Sequence, residues 1–226
     1  MAKKMNKNSK KGFTLVELIV VLVILAILAA ILIPALLGYI DRAREKQDLL
    51  DARCCLQAAQ AQLAELYGQS EGNPPANTPV IPGGAKPTDK NGDVDLTQAD
   101  FAKKVLETAD LTGANEPYIL MMALGSNQVN DKAEAHSVTA HDKYTVYYIL
   151  YIKTEKSKPL YYYNGTWTKD NPRATGTTKQ TEIFSEYNVV KKGPLQGKRL
   201  QYYLLANGRN DSVETTSFWN WVKGLK

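Results

Sequence analysis

One carboxylate stands where hydrocarbon is expected. All twenty residues from Leu18 to Leu37 are apolar, and Glu17 heads that run inside the stretch Gly12 to Ile40, GFTLVELIVVLVILAILAAILIPALLGYI. A carboxylate at the centre of a membrane helix costs roughly 2.5–3.5 kcal/mol, and less toward its end. Two chemistries answer that cost. The side chain can reach back to the interface, or it can meet a cation inside the apolar layer. A cut between Gly12 and Phe13 would supply such a cation. The new α-ammonium of Phe13 would lie one helical turn from Glu17, or beside it on a neighbouring subunit.

A second stretch has metal-ligand spacing. In DKNGDVDLTQADF, residues Asp89, Asn91 and Asp93 occupy the first, third and fifth positions of a calcium loop. Thr97 would be the ninth, Asp100 the twelfth, and Leu96 the usual apolar eighth. Two departures weigh against it: Val94 replaces the turn glycine and Asp100 replaces the longer glutamate. The other reading is a short helix capped by Asp95 or Thr97, with Phe101, Val105 and Leu106 facing a core. Calcium is the one candidate ion, and no other cofactor is expected.

Conventional catalytic chemistry is harder to find. The sequence holds no HExxH, P-loop, GxGxxG, CxxC or GxSxG pattern. His136 and His141 lie in a polar stretch that reads as loop. Cys54 and Cys55 are adjacent, so on a helix they point about 100° apart and do not bridge each other. They read as small residues beside a packing stripe, with a crosslink between subunits as the lesser alternative. No catalytic residue is assigned, and an enzyme is not expected.

The elements that position Glu17 come next. The first twelve of the 226 residues hold five lysines and no acid, and the remaining 214 carry 23 bases and 23 acids. The basic character therefore belongs to a short leader and gives no reason to infer nucleic-acid binding. Twenty apolar residues span roughly 30 Å as a helix, one hydrocarbon thickness. The run is too long for the core of a cleaved secretory signal. Lysines on its N-terminal side predict that this end stays in the cytoplasm.

Gly12-Phe13-Thr14-Leu15-Val16-Glu17, after a lysine leader and before this apolar run, resembles the type III signal of type IV prepilins. The resemblance extends through Pro34 and covers about the first 55 residues. It implies that a prepilin peptidase removes residues 1–12 and N-methylates Phe13. It also implies that Glu17 pairs with a Phe13 amine and that residues 13–40 form a membrane span and later a filament core. In that family the helix can open near the proline. Pro34 agrees physically, because it lacks a backbone donor and crowds the carbonyl of Ala30. Many Gram-negative relatives carry a disulfide near the C-terminus; this sequence has no cysteine there, which fits a Gram-positive source.

The helical pattern continues past Ile40. Leu49, Leu56 and Leu63 recur every seven residues, with Ala52, Ala59 and Leu66 between them, giving an apolar stripe over 41–67. Gly68 and the proline-rich segment 68–96 predict a stop followed by an exposed loop. Beyond it, Tyr118–Leu124, Tyr144–Ile152, Leu160–Tyr163, Thr166–Thr168 and Leu200–Ala206 read as strands. Asn164-Gly165 is a hairpin turn signal. Residues 217–224 read as a short C-terminal helix capped by Ser217. The expected fold is α+β: a helix over about 13–67 lying across an antiparallel sheet within 118–206, in a head of residues 68–226. That arrangement gives a lollipop.

The resemblance thus implies a major pilin, made in the cytoplasmic membrane and polymerised with itself into a filament on the cell surface. It implies an assembly ATPase and platform as further partners. A pseudopilin or minor pilin of a secretion or competence machine is the alternative within the class. A single-pass membrane protein with a binding domain is the alternative outside it.

Overall fold

The structure, a computed structural model, describes residues 12–69, 100–125, 144–172, 200–206, 221–222 and 224–225. The chain divides into two compact units, residues 1–46 and 47–226.

In the first unit, residues 12–14 are not helical and α1 begins at Leu15. Every residue from Gly12 to Leu37 is exposed, including the whole apolar run. A helix that is apolar on all sides requires an apolar surround, either lipid or other helices. α1 continues through Pro34 without a break in the isolated chain. The proline still leaves the carbonyl one turn earlier without its usual amide partner.

The second unit holds the remainder of α1, which spans Leu15–Gln69 as a whole. It ends two residues beyond the expected Tyr67, where Gln69 Nε2 donates to Glu65 Oε1 at 3.0 Å. The face toward the core consists of Ala52, Cys55, Ala58, Ala59 and Leu63, with Leu49, Leu56 and Leu66 along its margins. Small side chains occupy the centre of that stripe. Cys55 is part of this core and Cys54 points outward.

The second helix, α2 (Asp100–Thr108), buries Phe101, Ala102, Val105 and Leu106 as the periodicity predicts. Gln62 Nε2 of α1 donates to Thr108 Oγ1 at 2.9 Å and ties the two helices together. α2 closes with Leu111 N–H donating to Leu106 O and Asp110 N–H to Glu107 O. Asp110 takes the left-handed position (φ 57°) that glycine more often fills in this cap.

Among the described residues five strands follow: β1 (Ile119–Gly125), β2 (Val146–Ile152), β3 (Leu160–Tyr163), β4 (Thr166–Thr168) and β5 (Leu200–Ala206). All neighbouring pairs are antiparallel, in the order β4-β3-β2-β1-β5. β1 lies between β2 and β5, so Met122 faces Ile149 on one side and Tyr203 on the other. The β3–β4 turn has Asn164 and Gly165 both at positive φ (47° and 83°), as the two-residue hairpin requires.

Both faces of the sheet are buried, which explains why its strands are apolar throughout rather than alternating. Leu120, Met122, Leu124, Ile149, Tyr151 and Tyr203 pack with α1 and α2. Ile119, Met121, Tyr148, Leu150, Tyr161 and Tyr202 face the other way, with Val222, Trp221 and Leu225 against them. Asn171 Nδ2 holds that C-terminal segment by donating to Val222 O (2.7 Å) and Leu225 O (3.1 Å). Of the C-terminal helix expected over 217–224, residues 221, 222 and 224 are helical and the others lie outside the described residues. The fold is α+β, as expected.

A polar pair pins α1 to the sheet. Lys153 Nζ, just past β2, donates to Asp51 Oδ2 at 2.9 Å and to the carbonyl of Asn115 at 2.7 Å. Gln47 Nε2 donates to the other Asp51 oxygen at 2.7 Å. Both side chains are largely shielded from water, 20% and 10% exposed, so the pair does not dissipate into solvent. Asp51→Ala is expected to lower head stability by about 2 kcal/mol, because it strands a lysine away from water. Thermal unfolding of the detergent-solubilised chain measures this. The double variant D51A/K153M should lose less than the two single losses combined. Additive losses would mean that the pair does not couple helix and sheet.

Burial also sets a direction of pH dependence. Desolvation, followed by the nearby Cys54 and Asp51 charges, pushes the Cys55 thiol up to about 12 from its ordinary 9.0. Burial raises the Tyr151, Tyr161 and Tyr203 phenols as well. In the alkaline range the unfolded chain releases these protons while the folded head retains them. Stability is therefore complete below pH 9 and falls as pH rises through 9 to 12. A maleimide at neutral pH should label Cys54 and spare Cys55. Two labels on the folded chain would contradict the packing.

Candidate functional site at the start of the long helix

Glu17 is engaged within its own chain. Its Oε2 accepts from the backbone N–H of Thr14 and from the Thr14 hydroxyl, both at 2.8 Å. Glu17 N–H in turn lies 3.3 Å from Thr14 Oγ1. This is a capping box: threonine at the position before the first helical turn, glutamate three residues on, each satisfying the other's backbone donor. Among the described residues Glu17 Oε1 takes no hydrogen bond. One carboxylate oxygen thus caps the helix and the other stays open.

The box also fixes what precedes it. Because Thr14 caps, the helix starts at Leu15, and Gly12 and Phe13 remain outside it. Phe13 is 84% exposed. A Cβ built on Gly12 meets nothing within 4 Å, so its surroundings are open. The Gly12–Phe13 peptide is therefore presented as non-helical, accessible backbone, the form in which a protease takes a substrate.

Thr14→Val keeps the side-chain volume and removes the cap's hydroxyl. It should cost about 1 kcal/mol at the helix start. Faster amide hydrogen exchange over residues 15–18 in detergent reads this, and unchanged exchange would mean that the cap carries no weight. The sequence signal was present, since threonine followed three residues later by glutamate ahead of an apolar run is a helix-start signature. The sequence reading weighed Glu17 against lipid and against a Phe13 cation, and missed Thr14. It also missed the Asp51–Lys153 pair, whose members are 102 residues apart.

The other candidates fare differently. Asp89, Asn91, Asp93 and Thr97 of the calcium-loop stretch lie outside the described residues, as do His136 and His141. Asp100 is the first residue of α2. Among the described residues no group of three or more His, Cys, Asp or Glu side chains could hold a metal.

The family described as the prokaryotic N-terminal methylation motif matches residues 7–33. The chain thus carries the N-terminal motif of type IV pilin-like prepilins. The match takes in Gly12, Phe13, Thr14 and Glu17 and ends one residue before Pro34. Motif and fold together indicate a structural subunit. The motif implies processing by a prepilin peptidase, and the apolar helix fits a membrane-anchored precursor. No solved structure matches the chain.

Proposed function

We propose that this chain is the principal subunit of a type IV pilus. A prepilin peptidase cuts after Gly12 and N-methylates Phe13. The mature subunit waits in the cytoplasmic membrane, with α1 as its anchor, until an assembly ATPase and platform move it into a surface filament. One observation carries the reading: the methylation motif leads into an apolar helix with none of that segment covered among the described residues. In the filament, neighbouring helices replace lipid around Leu18–Leu37.

Glu17 joins the two states. In the precursor its Oε2 caps the helix through Thr14. After cleavage the open Oε1 receives the Phe13 ammonium of its own or a neighbouring copy. Two charges that would be costly singly in an apolar core then neutralise each other. Pro34 supplies a place where α1 can open as subunits pack, because the turn before it already lacks one hydrogen bond.

Shearing cells and sedimenting the released material tests the proposal. The chain should be a dominant protein of the high-mass fraction, with filaments visible by negative stain. A trace amount at filament tips would point to a minor subunit. Confinement to the membrane fraction would refute the filament reading.

A further inference from the structure

We infer that Lys153 and Asp51 condense into an amide, a covalent bond within the chain that joins α1 to the segment after β2. This goes beyond the filament reading and holds whether or not the chain polymerises. Lys153 Nζ lies 2.9 Å from Asp51 Oδ2, beside the carboxyl carbon that it attacks. The ion pair is the state from which the bond forms.

Three neighbours supply what the condensation needs. Gln47 Nε2 donates to the other carboxylate oxygen at 2.7 Å, where negative charge gathers once the amine has added. The Asn115 carbonyl accepts from Nζ at 2.7 Å and orients the amine. Tyr151 stands two residues before Lys153 and so on the same side of the sheet. It is fully buried, and among the described residues its hydroxyl has no hydrogen-bond partner. An unpartnered buried hydroxyl is costly, and of the charges around it Asp51 acts on it most strongly. Tyr151 is the proton relay of this site.

The step needs no outside reagent. Lys153 passes one ammonium proton to Oδ2 across the ion pair, and its freed electron pair attacks Cγ. The C–N bond forms and the C–Oδ2 bond breaks. Tyr151 carries a second nitrogen proton to the departing oxygen, which leaves as water. The third proton stays on the amide nitrogen and still faces Asn115. Two charges disappear, and nothing is oxidised or reduced. In open water the separate ions are favoured, but two circumstances reverse that balance here. The side chains are only 20% and 10% exposed, and charges held away from water are costly. An amine fixed against its carboxyl also acts at an effective concentration of about 10⁵–10⁸ M, far above that of water itself. The bond closes a loop between residues 102 apart, which restricts the unfolded chain.

Intact mass of the full-length chain, extracted from the membrane in detergent, tests the inference. The chain should be one water lighter than its sequence requires, with or without the leader. After trypsin, peptide 47–53 should be recovered joined to peptide 144–156, uncut at Lys153. Lys153→Arg keeps the charge and removes the nucleophilic amine, so its mass should be full. Tyr151→Phe keeps the ring and should form the bond about a hundredfold more slowly, leaving freshly made chain unbonded. An unsubstituted chain of full mass would overturn the inference and leave an ion pair alone. Water loss that persists in K153R, or that maps to other residues, would overturn it as well. A Y151F chain that closes as fast as the unsubstituted one would remove the tyrosine from the step.

Discussion

Gly12→Val is expected to arrest the chain as a full-length precursor in the membrane. The argument rests on what the substitution does not do. Gly12 lies before the first turn of α1, it is exposed, and an added Cβ there meets nothing within 4 Å. The valine therefore leaves the fold, the capping box and the membrane helix undisturbed. Its only consequence falls on an enzyme that must bring its catalytic groups up to the Gly12–Phe13 peptide. Glycine lets backbone approach closely where any side chain would intervene. Intact mass of the membrane-extracted chain reads the outcome directly, with leader lysines retained on nearly every molecule. A normally trimmed chain from this variant would place the cut elsewhere.

Glu17 carries the second large effect, and two substitutions divide its roles. Glu17→Ala removes both the cap and the charge. Trimming should proceed, because the scissile peptide lies upstream of the box, whereas assembly should fail. An ammonium left unpaired in an apolar core costs a few kcal/mol, of the order of the 2.5–3.5 kcal/mol for a charge at a helix centre. At 1.4 kcal/mol per decade that corresponds to roughly a hundredfold loss of filament. Glu17→Gln is the sharper variant. Its amide oxygen can still accept from Thr14, so the helix start is kept, but it offers no charge to Phe13. If charge pairing drives assembly, E17Q should be as defective as E17A. If capping were the whole role of Glu17, E17Q filaments would be normal in number and the pairing mechanism would fail.

The sequence made much of this legible because its signals are local. Gly12, Phe13 and Glu17 stand within six residues, and an apolar run with lysines at one end needs no tertiary partner to be recognised. Strands β2 and β5 were readable from β-branched and aromatic density, and β3–β4 from Asn164-Gly165. Strands such as Tyr147-Tyr148-Ile149-Leu150-Tyr151 leave no polar alternate position, and the structure shows the reason in the burial of both sheet faces. What escaped depends on contacts across the chain or on competition between roles. The Lys153–Asp51 pair links a loop after β2 to the middle of α1, and no spacing rule reaches that far. Sequence order also gave no sign that β5 would insert beside β1 instead of following β4. Glu17 was read as a charge in search of a cation. The structure adds that one of its oxygens is already taken by Thr14, so cap and counter-ion coexist on a single carboxylate.

The most direct test of the central claim is the mass of the N-terminal peptide from chain sheared off the cell surface. The account predicts a peptide that begins at Phe13 and carries one added methyl group on its amine, recovered from material of filament size. A surface chain still bearing Met1 or the leader lysines, or one cut at any bond other than Gly12–Phe13, would contradict it.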